Sequence, residues 1–108
     1  MAGQVHHVAV NSDHFPDTVR FFSEVFQMEI SRTTGEAPNR KFWFRQGIQV
    51  NEVPQVPQNP SQYDHIGIAV KDRAATLQKA AAFGCKPLAG KPNWFTTPDN
   101  IVIELMEA

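Results

Sequence analysis

One short strand-like motif occurs twice in this chain. His7-Val8-Ala9-Val10 recurs as His65-Ile66-Gly67-Ile68. Each copy is an apolar run headed by a histidine, and a helical pattern and further strand-like runs follow both. At 108 residues the chain is one domain, with enough buried surface for one core but not for two independent ones. Two repeats must then share a core or pair with a second chain. A repeat that brings its own histidine can also set two imidazoles about one cavity.

Val5–Val10 is a strand. Ser12 or Asp13 opens a turn, and Pro16 suits the first turn of a helix whose apolar face is Val19, Phe22, Val25 and Phe26. Met28–Thr33 is strand-like, and residues 34–40, with Gly35 and Pro38, form a loop. Lys41–Arg45 and Ile48–Val53 are strands joined at Gln46-Gly47. Residues 54–62, rich in proline and glutamine, read as an extended connector.

The second half repeats the order. Tyr63–Val70 is a strand, and Asp72 caps a helix running to about Phe83 with Leu77, Ala80, Ala81 and Phe83 inward. Gly84 sits where a left-handed cap is wanted. Lys86–Ala89, Asn93–Thr96 and Ile101–Met106 are strands, the last two turned at Pro98-Asp99-Asn100. Trp43-Phe44 and Trp94-Phe95 fall at matching places. The expected fold is α+β: two tandem βαβββ modules, 1–53 and 63–108, in one domain with an open curved sheet.

Strand side chains alternate faces with period two, which sorts the polar residues. Val8, Val10, Ile48, Val50, Ile66, Ile68, Ile101, Ile103 and Leu105 form the helix-packing faces. The opposite faces receive His7, Asn51, His65 and Glu104, with only Ala9 and Gly67 beside the imidazoles. Two neutral imidazoles and one carboxylate make a facial set that holds a divalent metal with positions left open. Such an ion acts as a Lewis acid on substrate oxygens. Zn, Ni, Co, Mn and Fe all accept these donors.

The chain resembles the vicinal oxygen chelate superfamily, the glyoxalase, bleomycin-resistance and dioxygenase proteins. The resemblance rests on His7-Val8-Ala9-Val10, on Val19 to Met28 with Phe21-Phe22, on Asp64 to Val70, and on Pro98-Asp99-Asn100 leading into Ile103-Glu104-Leu105. It implies a glyoxalase-like fold and metal ligands at His7, His65 and Glu104, with the fourth family position at Asn51. Glyoxalase I-like members usually carry Glu at that fourth position, whereas epimerase-like members can carry Gln. Gln27 stands where the family commonly has Gly after the first helix.

The activity this implies is proton transfer on a small oxygenated metabolite held through metal-chelated oxygens, of lyase or isomerase type. Glu104 would be ligand and base. Two other readings stay open: a metal-free, bleomycin-resistance-like ligand binder, and an extradiol-type dioxygenase with Fe(II). Trp43 and Trp94 either line the pocket or fill the core. Asn51 is a polar wall residue that can hydrogen-bond substrate, and Tyr63 can reach the site rim as an acid. Glu52 is a surface carboxylate or a substitute ligand for Asn51. Lys41, Trp43 and Arg45 share one face; turned inward they favour an anionic substrate, and turned outward they are surface charge. His6 and His14 read as surface groups, and Cys85 as a packing residue.

Ten basic and eleven acidic residues spread along the chain leave a formal net charge of −1, with no footprint for nucleic acid or an anionic membrane. No apolar run approaches the roughly 20 residues of a membrane span. The first four residues lead almost directly into a strand, so no signal peptide is expected. The single cysteine fits a reducing cytoplasm. A homodimer is expected, symmetric pairing being the commonest assembly.

Overall fold

The computed structural model describes residues 2–56, 63–98 and 100–108. Ten elements follow in the order β1 (Gln4–Ser12), α1 (Phe15–Val25), β2 (Ile30–Thr34), β3 (Lys41–Phe44), β4 (Ile48–Glu52), β5 (Tyr63–Val70), α2 (Arg73–Ala82), β6 (Lys86–Leu88), β7 (Lys91–Thr96) and β8 (Val102–Glu107). Each half is therefore strand, helix, strand, strand, strand, a mixed α+β fold.

The chain divides into two compact units. The first is His7–Asp64; the second is His65–Ala108 together with the residues up to His6. The division cuts β1 and β5 rather than the connector, of which 57–62 lies outside the described residues. Gly3 shows the consequence: a Cβ added there would meet Ile68 Cγ2 at 3.0 Å and Val70 Cγ1 at 3.2 Å, both in the second unit.

In the first unit the strand order is β2-β3-β4-β1, with β1 parallel to β4 and the other pairs antiparallel. Val10, Phe42, Phe44, Ile48 and Val50 gather under Phe15, Val19 and Phe22 of α1. The ring of Phe15 meets Phe42 edge-on at 4.9 Å. Pro16 sits in the first turn of α1, where a missing N–H costs nothing.

Val25 and Phe26 do not join this cluster; they are 61 % and 57 % exposed. The helix ends at Val25 and Phe26 is its C-cap, so both stand beyond the stretch of α1 that the cluster holds. Gln27 then takes a left-handed φ of 55°, and the Met28 N–H closes on the Phe22 carbonyl at 3.1 Å. The chain thus leaves the helix through a left-handed residue, with glutamine in the position that favours glycine.

In the second unit the order is β5-β8-β7-β6, with β5 parallel to β8. Leu77 and Ala80 of α2 cover Phe95, Ile103 and Leu105, with Ile66, Ile68, Val70 and Cys85 around them. Asp72 caps α2 by accepting from Ala75 N at 3.0 Å. Gly84, at φ 92°, carries the turn that Gln27 carries in the first unit. Each unit thus has its own apolar cluster, because each helix covers the strands of its own unit. Phe83 is 83 % exposed, Ala81 is exposed, and Ile101 is 42 % exposed. Phe83 is the helix cap and Ile101 precedes β8, so neither is held by the packing that orders its neighbours. Among the described residues no helix is long and apolar enough to cross a membrane.

Candidate metal centre and substrate face

The pairing registers fix which side chains share the sheet face turned away from each helix. In the first unit Ala9 pairs with Gln49, Gln49 with Trp43, and Trp43 with Arg32. One step along, Asn11, Asn51, Lys41 and Thr34 form a second row. In the second unit Gly67 pairs with Glu104 and Glu104 with Trp94. Both tryptophans therefore lie on helix-free faces, outside the apolar clusters.

The two units correspond residue by residue. His7, Ala9, Gln49 and Trp43 of the first stand where His65, Gly67, Glu104 and Trp94 stand in the second. The counterpart of Glu104 is thus Gln49, not Asn51. Gln49 and Asn51 share a face, so alternation alone does not separate them; only the pairing partner does. The hairpin before Gln49 is also shorter than the one before Glu104, so counting from the Trp-Phe pairs misleads.

In the second unit His65 Nε2 lies 3.2 Å from Glu104 Oε1. His65 is buried, while the Glu104 side chain keeps 26 % of its surface open. The Trp94 ring packs against the imidazole at 4.4 Å between centroids, and Lys91 Nζ lies 4.3 Å from the Trp94 ring centre.

In the first unit His7 is buried on β1 on the same face as Gln49 and Asn51. A chain of amides runs along that face. Gln49 Nε2 donates to Asn51 Oδ1 at 2.7 Å, Asn51 Nδ2 to Asn11 Oδ1 at 3.2 Å, and Asn11 Nδ2 to Asp64 Oδ1 at 3.2 Å. An ionised carboxylate only accepts, so Asp64 sets the direction of every bond in the chain. The direction leaves Gln49 turned with its carbonyl oxygen, not its NH2, away from Asn51.

The remaining candidates separate cleanly. Glu52 accepts from Arg40 Nε at 2.8 Å and from Arg40 Nη2 at 2.9 Å. Those hydrogen bonds hold its carboxyl below the ordinary glutamate value, and they commit Glu52 to structure. Tyr63 is half-buried at the start of β5, two residues before His65. Arg45 lies beyond the end of β3 and faces Glu29 at 3.9 Å, so it does not share the face of Lys41 and Trp43. His14 is a surface group beside Asp13. Sequence reasoning missed Gln49 as the counterpart of Glu104, Asn11 as a link in the amide chain, and Arg32, whose Cζ lies 4.8 Å from the Trp43 ring centre.

Residues 4–105 match the family model of the Glyoxalase/Bleomycin resistance protein/Dioxygenase superfamily. The chain belongs to this superfamily. No curated protein matches its sequence. Among solved structures, a methylmalonyl-CoA epimerase of Streptomyces coelicolor, in complex with 2-nitronate-propionyl-CoA, is 15 % identical with a TM-score of 0.74. The alignment covers 100 % of this chain and 99 % of that one. A hypothetical protein of Bacillus halodurans C-125 gives 13 % identity and a TM-score of 0.73, over 100 % of this chain and 96 % of that one. A halotolerant catechol dioxygenase gives 11 % and 0.70, over 96 % of this chain but 40 % of that one. At such identities the likeness carries the fold.

Proposed function

We propose that this superfamily member is a metal-dependent enzyme of isomerase type, moving a proton at carbon beside a carbonyl of a small oxygenated substrate. His65 and Glu104, with His7 and Gln49 as their counterparts from the first unit, would hold one divalent ion. The carrying observation is the 3.2 Å between His65 Nε2 and Glu104 Oε1. It is long for a charge-assisted hydrogen bond, which favours about 2.7–2.9 Å. It is the spacing of two donors that each approach one ion at about 2.0–2.2 Å.

When bound, such an ion supplies Lewis-acid stabilisation of negative charge on a substrate oxygen. Gln49 supports the isomerase reading in particular, because epimerase-like members of the superfamily can carry Gln at the fourth family position and Gln49 is the counterpart of Glu104. The proposed donor set then bears one negative charge instead of two, so a divalent ion keeps a net positive charge toward an enolate. Gln49 does not titrate, which leaves Glu104 as the proton-carrying member. One carboxylate oxygen of Glu104 would serve the ion and the other the substrate proton. Trp94 backs the His65 ring and fixes its plane.

Metal content of tag-free protein and its melting temperature with and without a chelator test the reading. Stoichiometric metal, a fall in Tm on chelation and loss of both in His65→Ala are expected. Protein that purifies metal-free and melts identically with added Zn, Ni, Co, Mn or Fe(II) overturns it. The protein is further proposed to be a homodimer, for which light scattering behind size exclusion gives the mass directly; a monomer mass rejects that assembly.

A further inference from the structure

The helix-free face of the first unit holds two cations that the metal reading does not use. Arg32 and Trp43 are cross-strand partners, and the Arg32 Cζ sits 4.8 Å from the Trp43 ring centre. Lys41 lies in the next row of the same face, paired with Thr34 on one side and Asn51 on the other. Both cations are exposed, and Trp43 is half-buried between them and Gln49.

Their charge is not spent within the unit. Arg20, Arg40, Arg45 and Arg73 each have a carboxylate within 3.9 Å. Among the described residues Arg32 and Lys41 have none. An arginine held over a ring keeps its in-plane N–H fork, the geometry that grips a carboxylate or phosphate through two bonds. The exposed part of the indole offers a flat apolar surface beside that fork.

We infer that Arg32, Lys41 and Trp43 form a binding site for an oxyanion carried on a planar small molecule, and that this is the distal end of the substrate. The inference rests on the proposed reading of this face as the substrate face, though not on the metal. Strands lie about 4.8 Å apart, so Lys41 is two strands, about 10 Å, from β1, which bears His7, and Arg32 three strands, about 14 Å. The site selects substrates whose acid group is remote from the reacting carbonyl.

The test uses Trp94→Phe protein, in which Trp43 is the only indole, treated with chelator and titrated by fluorescence. Benzoate, phenyl phosphate and neutral benzyl alcohol are the probes. Benzoate or phenyl phosphate perturbs Trp43 emission and binds about tenfold or more tightly than benzyl alcohol, the worth of one charge-assisted pair. The better of the two anions identifies carboxylate or phosphate as the natural group. Arg32→Gln abolishes the preference and Arg32→Lys restores part of it, while benzyl alcohol binding stays unchanged in both. Equal binding of benzoate and benzyl alcohol, or an anion preference that survives Arg32→Gln, overturns the inference. Because the protein is metal-stripped, failure of the metal reading leaves this result standing, and failure here leaves the metal measurements standing.

Discussion

Gln49 Nε2 donates to Asn51 Oδ1 at 2.7 Å, and the direction of that bond decides which end of the Gln49 amide is offered to the rest of the face. Four polar residues from three strands share one polarity, anchored by the carboxylate of Asp64. Asn51 is then a positioning residue. Asn51→Leu leaves the neighbouring amides without a partner and costs about 1–3 kcal/mol of stability. If Gln49 is a metal donor, the same change weakens metal binding by about tenfold or more, as lost support of a ligand does. Chelator competition and denaturant titration measure the two effects. Unchanged metal affinity would free Asn51 of the positioning role.

Gln49→Glu gives a sharper test of the same polarity. Two amides would then lie between two acceptors, and one junction must set oxygen against oxygen. The variant loses about 1–3 kcal/mol of stability, even though a second carboxylate tightens divalent-ion binding. Asp64→Asn supplies a donor at the far end and recovers most of the loss. A double-mutant cycle by urea denaturation reads the coupling, and additive losses would contradict it.

Gln27 holds a left-handed backbone, φ 55°, at the end of α1. A side chain there costs roughly 1–2 kcal/mol, part of which glycine gives back through its freer unfolded chain. Gln27→Gly is expected to stabilise the protein by up to about 1 kcal/mol. Thermal melting checks it, with Gly84→Gln expected to move in the opposite direction.

Glu52 titrates below its ordinary value because Arg40 hydrogen-bonds its carboxylate. A depressed folded value means that the pair stabilises the protein above the ordinary glutamate value. That stabilisation is lost as pH falls through the lowered folded value. Glu52→Gln should therefore narrow the gap between neutral and acid stability. Tm measured from neutral pH down through the glutamate range in both proteins gives the comparison, and parallel curves would remove the pair from the acid response.

The alternation of Val8, Val10, Ile48, Val50, Ile103 and Leu105 was legible because burying one face of a strand forces period two. That pattern placed His7, His65 and Glu104 on the helix-free faces and Trp43 and Trp94 with them once pairing was known. Alternation is blind to which residue lies opposite which. It treats Gln49 and Asn51 as equals, and only the β1–β4 register, with Ala9 facing Gln49, tells them apart. Arg32 was hidden for a related reason. An irregularity in β2 between Ile30 and Arg32 shifts it onto Trp43, and no local spacing announces a bulge. Helix ends failed differently. Val25, Phe26 and Phe83 fit the apolar period, but they stand at the last helical residue or at the cap, where the period no longer says which way a side chain faces, and all three are exposed.

The residues up to His6 belong with His65–Ala108, so a segment that precedes the first unit is built into the unit that follows the connector. The stretch 63–108 is therefore not the whole of its own unit: Ile68 and Val70 lie against the backbone at Gly3. Contacts of such sequence separation slow folding. A duplicated motif would suggest two beads that part at the connector; here a cut at the connector takes the segment before His7 away from the unit it belongs to.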